Sequence, residues 1–96
     1  MDSKKIKDIK TRLAKLRKKV ANIRSRELES LAKSLGRIRE ERGKHPTWIS
    51  KDLPNAPPIT VPNHPGALNK YTAGNILDQL EQDLFTLEEI ERQTKR

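Results

Sequence analysis

Six aliphatic residues near the start of the chain, Ile6, Ile9, Leu13, Leu16, Val20 and Ile23, follow one another at spacings of 3, 4, 3, 4 and 3. On a helix of ~3.6 residues per turn these spacings bring all six side chains onto one stripe. Ala14 and Ala21 add helix propensity, and no Gly or Pro interrupts the run. Lys and Arg fill most of the other face, so the segment reads as a basic amphipathic helix. Its stripe has three uses: packing on the chain's own core, pairing as a short coiled coil, or docking on another protein. The repeat is shorter than the ~3–4 heptads that identify a coiled coil.

Charge follows the same division. Residues 1–26 hold eleven Lys/Arg and two Asp, whereas the remaining seventy hold ten basic and eleven acidic residues. One end is a cationic arm and the rest is near neutral. Such an arm concentrates anions, nucleic acid above all. The same force would hold an anionic membrane surface, but nothing specific in the sequence favours one. No apolar run approaches the ~20 residues of a membrane-spanning helix. The opening Met-Asp-Ser-Lys-Lys lacks the apolar stretch of a signal peptide, so a cytoplasmic location is expected. The absence of Cys excludes disulfides, thiolate metal sites and a cysteine nucleophile. With 96 residues and a single Trp, Tyr, Phe and Met each, the chain is one small domain plus at most one extra element, with an aliphatic core.

Further elements follow from local signals. Ser25 suits an N-cap, Leu28, Leu31, Ala32 and Leu35 share one helical face, and Gly36 suits a helix stop. The pattern leaves open whether this helix continues the first or bends away near Ser25. Residues 37–42, 45–51 and 59–61 read as three short antiparallel strands, with a turn at Gly43-Lys44 and a looser connection through the prolines of 52–58. Thr72 is placed to cap a third helix carrying Ile76, Leu77, Leu80 and Leu84, with Gly74 and Asn75 in its first turn. Thr86 is placed to cap a short last helix. The expected class is α+β: a basic amphipathic helix over 1–24, then an α-β-β-β-α domain over 25–96 with a three-stranded antiparallel sheet and a short C-terminal helix. That order is the layout of a double-stranded-RNA-binding (dsRBD-like) fold, and a fold alone gives no function.

Four stretches carry more: Ser25-Arg26-Glu27-Leu28 through Leu35-Gly36, Arg42-Gly43-Lys44-His45, Thr60-Val61-Pro62-Asn63-His64, and Tyr71-Thr72-Ala73-Gly74-Asn75-Ile76-Leu77. In this order and spacing the chain resembles the HicA family of bacterial toxins, over roughly residues 25–92. The resemblance implies a small endoribonuclease that cleaves mRNA and blocks translation, paired with a HicB-like antitoxin. It also implies that His45 is the catalytic histidine, because the family's histidine sits in a Gly-Ser-His turn. Two residues depart from that turn. Lys44 stands where Ser is usual, adding a cation, and Pro46 follows His45 and restricts it to extended backbone angles. Residues 1–24 lie outside the family pattern.

RNA supplies its own nucleophile, the 2′-OH. A ribonuclease therefore needs a base near that oxygen, an acid near the leaving 5′-oxygen, and cations for the phosphorane. Histidine suits the proton work. Around His45, the cations nearest in sequence are Lys44, Arg42, Arg39 and Arg37. Arg37 and Arg39 share a strand face that either binds phosphates or forms an ordinary solvated edge with Glu40 and Glu41. Lys70 and Thr72 open the third helix, where backbone N–H groups favour a phosphate. His64 is either a second site histidine or a residue that shapes its loop. Trp48 either stacks on a base or fills the core. Two histidines and scattered carboxylates give no metal-ligand spacing, and no cofactor is expected. The partners expected are mRNA, a HicB-like antitoxin and a homodimer through the apolar stripe, with no membrane. Two other classes remain open: a non-catalytic RNA-binding or ribosome-associated protein, and a helical adaptor.

Overall fold

The computed structural model describes residues 3–42 and 45–94. Helix α1 spans Ser3–Lys18 and buries Ile6, Ile9, Leu13 and Leu16, the first four residues of the stripe. Lys15, Arg17 and Lys18 lie in its last turn, where positive charge suits the helix dipole. The helix stops short of the sequence expectation. A 3-10 turn over Val20–Asn22 follows, and Ile23 is extended yet fully buried. No Gly or Pro causes this break. The Ile23 carbonyl accepts the Leu68 N–H at 2.8 Å, and Arg24 bridges Ala67 antiparallel, so tertiary hydrogen bonds pull the chain out of helix.

Helix α2, Ser25–Ser34, starts directly after that bridge. Ser25 is its first helical residue rather than its cap, and its hydroxyl donates to the Pro62 carbonyl at 2.5 Å. The carboxylate of Glu27 reaches back instead, accepting the Arg24 N–H at 3.0 Å. Gly36 ends the helix in the left-handed region at φ 88°, as its sequence position suggests.

Strands β1 (Arg37–Arg42), β2 (His45–Ser50) and β3 (Ile59–Thr60) form an antiparallel sheet in the order β1-β2-β3. Arg37 pairs with Ser50 and Arg42 with His45, and Trp48 of β2 pairs with Ile59 of β3. Trp48 and Ile59 are buried; Ile38 is exposed on the other face, opposite half-buried Ile49. Trp48 is thus a core residue, with its indole N–H buried and unpartnered among the described residues.

Helix α3 runs unbroken from Lys70 to Thr94. Its cap is Asn69, whose side chain accepts the Tyr71 N–H at 2.8 Å; Thr72, half-buried in the first turn, does not cap it. Thr86 starts no new helix either. Its hydroxyl donates to the Gln82 carbonyl one turn back, at 3.0 Å. Continuity follows from the apolar positions: Leu77, Leu80, Leu84 and Leu87 are buried at helical spacing across the supposed break.

α1 lies antiparallel along α3. Ser3 donates to Glu91 at 3.0 Å, Lys10 pairs with Glu88, and Arg17 reaches Asp78 at 2.6 Å and Glu81 at 3.2 Å. The stripe of α1 joins Leu28, Leu31, Leu77, Leu80 and Leu84 in one core. The first helix is therefore part of the domain, and a homodimer through this stripe would have to pull α1 off α3. The molecule is α+β, with three helices and a three-stranded antiparallel sheet. No helix among the described residues is long and apolar enough to cross a membrane.

Candidate functional site

His45 opens β2, exposed, with its backbone paired to Arg42. Pro46 is accommodated there: it is buried, and its carbonyl accepts the Val61 N–H at 3.3 Å. The chain beyond β3 thus stays alongside β2, and the Asn63 N–H donates to Nδ1 of His45 at 3.2 Å. A neutral imidazole that accepts at Nδ1 carries its proton on Nε2. The backbone of Asn63 therefore selects the tautomer and leaves Nε2–H as the donor.

His64 follows Asn63 and is also exposed, with its Nδ1 accepting the Gly66 N–H at 3.1 Å. That contact shapes the loop. The same loop lines a hollow of about 260 Å³ with Arg24, Arg26 and Glu29 from the start of α2. Ser25 joins this wall through its bond to Pro62, and the Arg24–Ala67 bridge holds the start of α3 beside the start of α2. The result is a corner where His45, His64 and two arginines stand around one loop.

Arg24 and Arg26 were not among the residues expected at the site. A signal existed: two arginines flank the beginning of a helix, the end where the dipole disfavours positive charge. Glu27 offsets part of it. Its carboxyl lies below the ordinary glutamate range: burial alone would raise it, but Lys19, the Arg24 amide and the charges of Lys19 and Arg26 outweigh burial.

The other expected residues scatter. Arg37 is no RNA contact. It is 3% exposed, and its guanidinium grips Asp83 of α3 with Nε to Oδ2 at 2.5 Å and Nη2 to Oδ1 at 2.9 Å. Its Nη1 donates to the carbonyls of Trp48 and Pro57, at 2.9 and 3.1 Å. Arg39 is exposed and pairs with Glu41 at 3.0 Å, as an ordinary solvated edge would. Arg42 ends β1, and its side chain lies outside the described residues, as does Lys44. Lys70 is exposed at the first position of α3, with its ammonium 5.3 Å from the Tyr71 ring centre. Thr72 is half-buried in the first turn, within the helix that Asn69 caps. No cluster of three or more metal-ligating side chains occurs among the described residues.

A second hollow, of about 410 Å³, lies between the 52–57 loop and α3. Its charged lining is Asp52 and the Arg37–Asp83 pair, the latter engaged with each other and with carbonyls. Comparison of the chain with protein-family models, with curated proteins and with solved structures finds no match.

Proposed function

We propose that this chain is an endoribonuclease of the HicA toxin type, with a dsRBD-like fold over α2-β1-β2-β3-α3, in which His45 handles the proton of RNA cleavage. The observation that carries the reading is the exposed His45 ring, held by the Asn63 N–H beside a loop that faces Arg24 and Arg26. In the cleavage, the 2′-OH gives its proton to solvent as its oxygen attacks phosphorus, and the bond to the 5′-oxygen breaks. His45 as imidazolium, with a proton on Nδ1 in place of the Asn63 contact, passes its Nε2 proton to that leaving oxygen and returns to the neutral ring. Arg24 and Arg26 supply positive charge for the phosphorane. Because the nucleophile belongs to the RNA, no metal-bound water is required. In this reading the substrate is mRNA, the consequence is arrested translation, and the expected partner is a HicB-like antitoxin covering this corner.

The test compares wild type with His45→Ala for growth arrest on expression, cleavage of purified RNA, and RNA binding. Loss of arrest and cleavage with binding retained supports the enzyme. Equal arrest by both proteins overturns it in favour of a non-catalytic RNA-binding protein.

A further inference from the structure

α1 carries its cations on two sides, and the fold treats them differently. Toward α3, Lys10 is matched by Glu88, and Arg17 by Asp78 and Glu81. Toward α2 the charge stays largely unmatched. Among the described residues Arg12 is held by the hydroxyls of Ser34 and Ser30, at 2.7 and 3.0 Å, and by no carboxylate, so its geometry is fixed while its charge is not compensated. Lys15 and Arg26 have no ion pair among the described residues. Glu27 is the acid on this side, and it is taken by Lys19 at 2.5 Å and by the Arg24 amide.

These residues line one groove of about 500 Å³ between α1 and α2, with Arg12, Lys15, Lys19 and Arg26 on its walls. Arg12 and Lys15 lie about one turn apart on α1, and Lys19 follows just past its end. Arg26 lines this groove and also the hollow beside His64, whose neighbour Asn63 holds His45. The groove is thus continuous, through one arginine, with the corner assigned to cleavage.

We infer that the α1–α2 groove is a second phosphate-binding surface, along which a longer RNA strand runs away from His45. This rests on the RNA-cleaving reading and extends it, because it assigns the first helix to substrate binding. Arg12 and Lys15, which have no acidic partner among the described residues, fit a polyanion, since each phosphate contact releases counterions that a preformed ion pair would not. A fixed guanidinium beside ammonium groups also suits a backbone read without sequence preference.

The test measures binding and cleavage of a tetranucleotide and of a long single-stranded RNA by the full chain. Lys15→Glu is compared with Lys10→Glu, a control on the α3 side. Both positions are exposed, and equal thermal melting checks that both variants fold. The expected result is a roughly three- to tenfold fall in the long-to-short affinity ratio for Lys15→Glu, with the slope of log affinity against log salt shallower by about 0.7 per lost contact. Lys10→Glu should leave the ratio unchanged. An unchanged ratio for Lys15→Glu, or an equal fall for both variants, overturns the groove and leaves the His45 reading standing. Failure of the wild type to bind either RNA overturns both and points to an acidic protein surface as the ligand of this face.

Discussion

The backbone N–H of Asn63 donates to Nδ1 of His45 at 3.2 Å, so a loop residue distant in sequence sets the tautomer of the candidate catalytic ring. Long-range proton–nitrogen correlation spectra should show neutral His45 protonated at Nε2. A neutral ring protonated at Nδ1 would mean that Asn63 does not hold His45 as described.

The bidentate pair between Arg37 and Asp83 ties the first strand to the last helix in a buried setting. Asp83→Ala strands a buried guanidinium and should cost about 3–5 kcal/mol in urea unfolding, a large share of what a domain this size holds. Replacing both residues by apolar ones should recover only part of that, because the carbonyls of Trp48 and Pro57 lose their donor. A loss below about 1 kcal/mol for Asp83→Ala would mean that the pair is not buried as described.

Glu27 makes stability depend on acid pH. Its folded-state carboxyl lies below the usual 4.5, because Lys19, the Arg24 amide and Arg26 outweigh the opposing effect of burial. The unfolded chain then binds the proton more readily. The contribution is complete above the usual value and is lost as pH falls through the lower folded-state value. Wild type should therefore lose stability in that window faster than Glu27→Gln. Parallel curves of unfolding midpoint against pH would count against the assignment.

Two glycines predict opposite signs. Gly36 sits at φ 88°, and a Cβ there would meet Oδ2 of Asp52 at 3.0 Å, so Gly36→Ala should cost about 1–2 kcal/mol. Gly74 lies inside α3, and a Cβ there meets only Cγ2 of Val20 at 3.8 Å, an ordinary contact. Gly74→Ala should stabilise by about 0.5–1 kcal/mol through helix propensity. Thermal melting of the two variants checks both; a destabilised Gly74→Ala would mean that Val20 packs more tightly than described.

Local physics was readable from the chain. The aliphatic spacing located α1, Gly36 marked the end of α2, and the breaks at Gly36, Gly43 and the prolines, with Trp48 and Ile49 in the second run and β-branched residues in the third, located three strands close to their observed limits. What failed was decided by partners far away in sequence. Val20 and Ile23 belong to the stripe by spacing, yet the Leu68 N–H and the Ala67 bridge draw that stretch out of helix. Thr86 has the chemistry of a cap, but burial of Leu84 and Leu87 carries the helix past it. Arg37 alternates with Arg39 as a phosphate-binding pair would; only the fold reveals that Asp83 waits beneath the first of them. The corner at Arg24, Asn63 and His64 was legible only in part, because it is assembled from three separate segments.

The antiparallel seating of α1 on α3 also bears on how the protein is made. During translation α1 emerges with a row of isoleucines and leucines, and α3, which covers part of it, is made only after the whole sheet. Until then the nascent chain presents a sticky, strongly basic amphipath that α2 covers only in part. Chains interrupted before α3 should therefore cling to chaperones or to ribosomal RNA, and the core should close only when Leu80 and Leu84 arrive.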